Sequence, residues 1–293
     1  MADDLSSIVE SFDTPLVAGG FVFTEGPVWL PDGYLLFTEI GGPHQIWKVV
    51  PQHEKALFRD DTGRATGLTL DLEGHVVACE QITRQVTRMS PDGGDAKPIA
   101  THFEGKRLHR PNDVVGRSDG SLYFTSRGAG GMEGEEDEIE HNGVYRISPD
   151  GSVHRVVYPF VDPNGLAFSP NESLFYLVNT RPSMHLDAFD VEPDGSLVNQ
   201  RRFFQFPGAP GTVGVPDGVK VDVEGRVYCT GPGGIWVIDP SGDLSGVIRF
   251  PEAAVNMGWG DADNCTMYVA ARTSVYSIRM TTPGTTIPKI GAA

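Results

Sequence analysis

The chain has 293 residues and a formal net charge of −16, with 39% hydrophobic residues, 21% charged residues, 36 glycines and 22 prolines. This length is ample for a large core, and the glycine and proline content implies many turns, as in a large all-β domain. The acidic excess excludes nucleic acid as a partner, since no basic stripe is available to neutralise phosphates, and it disfavours anionic membranes.

The N-terminal stretch MADDLSSIVESF is acidic and lacks a basic start and an apolar segment, so it does not read as a secretory signal. No apolar run reaches the roughly 18 residues of a membrane span. Cys79, Cys229 and Cys265 lie far apart, each in a strand-like run (VVACE, RVYCTG, NCTMYVAA). They are expected to be buried free thiols in a reducing compartment, with the cytoplasm as the default location.

From residue 14 onward one phrase recurs. The strand-like TPLVAGG (14–20) leads into EGPVWLPDGYLLFTE from Glu25, then TGLTLDLEGHVVACE from Thr66 and NDVVGRSDGSLYFTS from Asn112. NGLAFSPNESLFYLVN from Asn164, DGVKVDVEGRVYCTG from Asp217 and NMGWGDADNCTMYVAA from Asn256 complete the series. The starts are 41, 46, 52, 53 and 39 residues apart. Each phrase is a short apolar strand, a turn rich in Asp and Gly, and a second strand with period-two alternation. Third strands follow most of them (45–50, 143–149, 234–240), and fourth strands often follow those (55–60, 244–250).

Four antiparallel strands repeated six times at this spacing predict an all-β fold, a six-bladed β-propeller of four-stranded blades. The sixth phrase supplies three strands before a Thr/Pro/Gly tail (281–293), so TPLVAGG is expected to be its missing outer strand and to close the ring. Residues 1–293 are read as a single domain, with a core from about 14 to 280 and short tails.

In a propeller the first strand of each blade lines the central channel. Glu25, Thr66, Asn112, Asn164, Asp217 and Asn256 then share one ring, and each carries a side-chain oxygen. Taken singly, Asn112 in RPND and Asn164 in DPNG read as turn residues. Glu25 does not, and oxygen donors at all six starts point to a hard divalent cation.

FTEGPVW (23–29), RPNDVV (110–115), DPNGLAFSPN (162–171) and PDGVKVD (216–222) resemble, in family order and over roughly residues 14–280, the SMP-30/gluconolactonase/luciferin-regenerating-enzyme (LRE)-like family. The resemblance implies a six-bladed propeller with one axial divalent ion, Ca²⁺ foremost and Zn²⁺, Mg²⁺ or Mn²⁺ as alternatives. It implies Glu25, Asn164 and Asp217 as metal ligands, and Asn112 as a fourth ligand or a substrate contact. The implied activity is hydrolysis of a sugar-acid lactone such as gluconolactone: the cation polarises the carbonyl, an activated water attacks, and Asp217 and Glu25 stand at the reacting centre. Asp217 should be depressed in pKa beside such a cation.

Two departures from the usual family phrases, Ser126 in YFTSRG and Asn179 in YLVNT, bear on substrate choice. Strand-end Glu39, Glu80, Ser126 and Asn179, with Arg110, are candidate substrate contacts; Arg110 can equally be a salt-bridge residue. His44 and His185 are assigned to rim loops without a catalytic role. The acid-rich stretch 126–143 is read as a solvated loop or a lid that would favour a neutral lactone. The expected partner is therefore a small-molecule lactone. The oligomeric state is not visible in the sequence, and a monomer is compatible with it. A calcium-dependent phosphotriesterase-like hydrolase and a non-catalytic calcium-stabilised binding propeller remain the alternative readings.

Overall fold

A computed structural model describes residues 5–51, 53–128, 137–208 and 211–286. Among the described residues every regular element is a strand, and none is a helix long and apolar enough to cross a membrane. The strands form six antiparallel blades around a ring. The innermost strands are Thr24–Leu30, Ala65–Leu70, Arg110–Gly116, Pro163–Phe168, Val219–Val221 and Asn256–Gly260, one from each repeat and each beginning at or within two residues of the predicted start.

The strands read as near-continuous apolar runs because both faces of each blade are buried. In Tyr34–Glu39, Leu36 packs with Leu68 and Ala78 of the second blade, whereas Leu35 and Phe37 pack with Tyr268 and Val275 of the sixth. Alternation along one strand thus feeds two interfaces. Six apolar clusters result, each between one pair of adjacent blades.

Closure follows the expected route, with one addition. Leu16–Gly19 pairs antiparallel with Ser274–Met280 through Leu16↔Tyr276, Ala18↔Val275 and Gly19↔Ser274. That strand is seven residues long, more than a four-residue partner covers, and Val9–Ser11 takes its far end through Val9↔Met280. Leu5, Ile8 and Val9, expected in a tail, are buried against Ile278 and Met280. An unanticipated hairpin, His102–Phe103 with Lys106–Arg107, lies between the second and third blades. His185 is not a loop residue: it opens the strand His185–Val191 and is buried. Cys79 and Cys229 are buried and Cys265 half-buried, all three free thiols.

Ring geometry forces the inner strands close together. A Cβ at Gly165 would lie 2.2 Å from the Asp217 carbonyl oxygen and 2.8 Å from the Val219 nitrogen, both backbone atoms. Gly165→Ala therefore has no side-chain rearrangement open to it. It should destabilise the protein by about 1–3 kcal/mol, the usual range for overpacking, measured as a lower denaturant midpoint.

Candidate functional site

The ring residues meet as predicted at one end of the channel. A pocket of about 250 Å³ is lined by Glu25, Thr66, Asn112, Asn164 and Asp217, with Phe23, Ile40, Arg64, Gln81, Arg110 and Arg127. Asn256 joins from beneath, its Nδ2 donating to Glu25 Oε2 at 2.9 Å. The belt continues around the axis: Gly26 N donates to the same carboxylate oxygen, Asn112 Nδ2 to Asn164 Oδ1 at 2.5 Å, and Asn164 Nδ2 to Thr180 Oγ1. Gln81 Nε2 donates to Asn112 Oδ1 at 2.8 Å.

Threonines at the ends of second strands brace the belt from outside. Thr38 Oγ1 donates to the Thr66 carbonyl, Thr180 Oγ1 to the Pro216 carbonyl, and Thr230 Oγ1 accepts from Asp217 N. The recurring Thr in LLFTE, LYFTS and VYCTG was the sequence signal for Thr38, Thr230 and also Thr125, whose Oγ1 accepts from Asp113 N.

A third carboxylate was not anticipated. Each ring residue is followed by Gly in the first, second, fourth and fifth blades, but in the third blade Asn112 is followed by Asp113. Asp113 is buried, its Oδ1 accepts from Val114 N, and the Asn256 side chain and the Lys220 charge favour its ionised form. Room for it exists because the neighbour is Gly67, where a Cβ would sit 2.2 Å from Asp113 Oδ1. An acid in place of the repeat's glycine was the available clue.

Three buried acids thus crowd the axis. Burial, then the Asp113 charge, pushes the Glu25 carboxyl up to about 7, against the pull of Asn256, Gly26 N–H and Lys220. Burial, then Glu25, raises Asp217 well above the carboxylate range, with Arg127 and the Asn164 amide opposing. Burial also raises Asp113, against Lys220. The expectation of a depressed Asp217 presupposed a cation; the protein's own groups push it the other way. Such a cluster of buried hard oxygen donors, whose carboxyls are pushed up by burial against the pull of Lys220 and Arg127, fits a divalent cation.

Not every expected contact lies on the pocket wall. Glu39 is buried and accepts from the amides of Val22, Phe23 and Gly41. Glu80 accepts from Thr83 Oγ1 and Gln85 Nε2. Asn179 accepts from Asp162 N and donates to the carbonyls of Arg181 and Ser183. Ser126 is fully buried, its Oγ without a hydrogen bond among the described residues. These four do not line the pocket, whereas Arg110 does. Within 126–143, residues 129–136, the heart of the expected lid, lie outside the described residues.

Two other features compete for attention. A larger cavity of about 590 Å³ opens at the opposite end of the inner strands, mostly apolar, with Glu172, Lys220 and Asp261 on its wall. Its acids are already engaged, Glu172 by Ser118 and Asp261 by Thr266 and Tyr268. Asp71, Glu73 and His75 also approach one another. That grouping is a turn: Asp71 Oδ1 accepts from Glu73 N and His75 N, and Arg88 pairs with its other oxygen. Asp222 builds the same turn in the fifth blade from Glu224 N and Arg226 N.

A family model described as the SMP-30/Gluconolactonase/LRE-like region matches residues 23–273. The chain belongs to this family. It is 28% identical to a gluconolactonase of Zymomonas mobilis over 305 aligned residues, covering 96% of this chain and 83% of that one. It is 27% identical to the pentonolactonase XacC of Haloferax volcanii, covering 84% and 80%. Among solved structures, a gluconolactonase from Xanthomonas campestris superposes with a TM-score of 0.86 at 28% identity, covering 96% of this chain and 93% of that one.

The charge cluster has a pH signature. Glu25, raised from 4.5 to about 7, holds its proton longer in the folded than in the unfolded state. Its contribution therefore favours the metal-free fold below pH 4.5 and turns against it as pH rises towards 7, by about 3 kcal/mol. In chelator, Glu25→Gln should gain stability relative to the parent between pH 4.5 and 7.5, measured by denaturant unfolding at both pH values.

Proposed function

We propose that the chain hydrolyses the lactones of sugar acids at the acidic end of its channel, with one divalent cation, Ca²⁺ foremost, held by Glu25, Asn164 and Asp217 and completed by Asn112. The observation that carries this reading is the convergence of two buried carboxylates, Glu25 and Asp217, in a pocket the size of a small sugar lactone, with the buried Asp113 carboxylate close enough to act on both. Kinship with a gluconolactonase and a pentonolactonase supports the lactone as substrate.

When bound, the cation would supply Lewis-acid polarisation of the carbonyl and lower the pKa of water. The protein's own groups do the remainder. Asp217, at the pocket floor, orients the attacking water and accepts its proton. The proton then passes to the alkoxide released as the ester C–O bond breaks, giving a hydroxy acid. Arg110, at the pocket wall and tied to the Gly128 carbonyl, orients the ring hydroxyls. The Asn112–Asn164 hydrogen bond keeps both amides turned to the axis, so the oxygen-rich floor is formed before substrate arrives.

With an aldonolactone panel followed by acid release, activity should disappear in chelator and return with a divalent ion. Asp217→Asn should lower kcat/KM by about 100-fold or more, the range for losing a general base, while leaving the strand content of the circular dichroism spectrum intact. Background hydrolysis alone by metal-replete protein, or full activity in Asp217→Asn, contradicts the assignment.

A further inference from the structure

The wall of the acidic pocket carries charge opposite to its floor. Arg64, Arg110 and Arg127 all line it, in a chain whose formal net charge is −16. Two of the three are anchored by the protein. Arg127 Nη2 lies 3.1 Å from Asp162 Oδ1, and Arg110 Nη2 donates to the Gly128 carbonyl at 2.7 Å.

Arg64 is different. Its Nε is buried and has no hydrogen-bond partner among the described residues. Its backbone sits at φ +59°, directly after Gly63, also at +59°. A non-glycine residue in that region costs about 1 kcal/mol or more and persists only where neighbours hold it. Here they do: Gln81 N donates to the Arg64 carbonyl and Ile82 N to the Gly63 carbonyl. The fold therefore maintains a strained turn that delivers an arginine to the pocket and then leaves its buried N–H unmatched. Leaving a buried charged donor unmatched is costly, and an anionic ligand group removes the cost.

We propose that Arg64, beside Arg110 and Arg127, binds a second carboxylate on the substrate, so that the preferred lactone is the monolactone of a dicarboxylic sugar acid. This rests on the lactone-hydrolase reading above. It departs from the neutral lactone expected from the acidic run at 133–138, because a bound substrate meets the pocket wall first. A singly charged carboxylate matches the one pocket arginine whose guanidinium has no anchor among the described residues, and the planar fork suits it bidentately. A phosphorylated lactone would bring about two charges to the same place.

The test compares kcat/KM for glucaro-1,4-lactone, glucono-1,4-lactone and gluconolactone 6-phosphate in the parent, Arg64→Met and Arg64→Lys proteins. The parent should favour glucaro-1,4-lactone by about tenfold or more, chiefly through KM, as one satisfied charge pair allows. Arg64→Met should shrink that ratio by about tenfold and weaken competitive inhibition by free glucarate, with Arg64→Lys between the two. Thermal midpoints of both variants check folding, and Arg64→Lys keeps the comparison decisive if Arg64→Met is unstable. Equal rates on the two unphosphorylated lactones, a ratio unchanged in the variants, or a preference for the phosphorylated compound overturns the assignment while the lactonase reading stands. Hydrolysis of none of the three overturns both.

Discussion

Antiparallel pairing of the two ends of the chain is the constraint on which the rest depends. Leu16–Gly19 and Val9–Ser11 zip along Ser274–Met280, and only then is the first blade a neighbour of the sixth. Closure brings Asn256 within hydrogen-bond distance of Glu25 across a separation of 231 residues. It also completes the apolar cluster that joins Phe37 to Val275, so the last interface is as buried as the others. An open ring would expose two sheet edges and leave the axial oxygens without a shared centre.

What closure creates is electrostatically costly. Glu25, Asp113 and Asp217 are buried together, opposed by Lys220 from one side and Arg127 from the other. The amide belt of Asn112, Asn164 and Asn256 fixes side-chain positions without adding charge. A stable core has no use for such an arrangement, since removing a carboxylate from water without a partner opposes folding. Under the proposed metal role the same repulsion would become attraction for a cation.

The architecture was legible because a blade buried on both faces must spell apolar residues at both parities, with Asp–Gly turns between them. The four core ring residues were legible for the same reason: aligned repeat starts become neighbours under rotation. Asp113 was hidden because RPND reads as a turn, and its meaning emerges only against the glycine its counterparts carry. Strand-end position proved a poor guide to direction. Glu39 and Asn179 sit at the correct rim, but their polar atoms turn to loop backbone, a choice made by the chain segments that pass over them. Arg64 was equally unreadable, since its orientation comes from long-range bonds to residues 81 and 82.

Cation stoichiometry addresses the central claim most directly. Native mass spectrometry of protein equilibrated with excess Ca²⁺ should show one tightly held ion per chain. A Glu25→Gln/Asp217→Asn double variant that remains folded should hold none. Retention of the ion by that variant, or no retained ion in the parent protein with Ca²⁺, Mg²⁺, Mn²⁺ or Zn²⁺, would contradict an axial metal site at this floor.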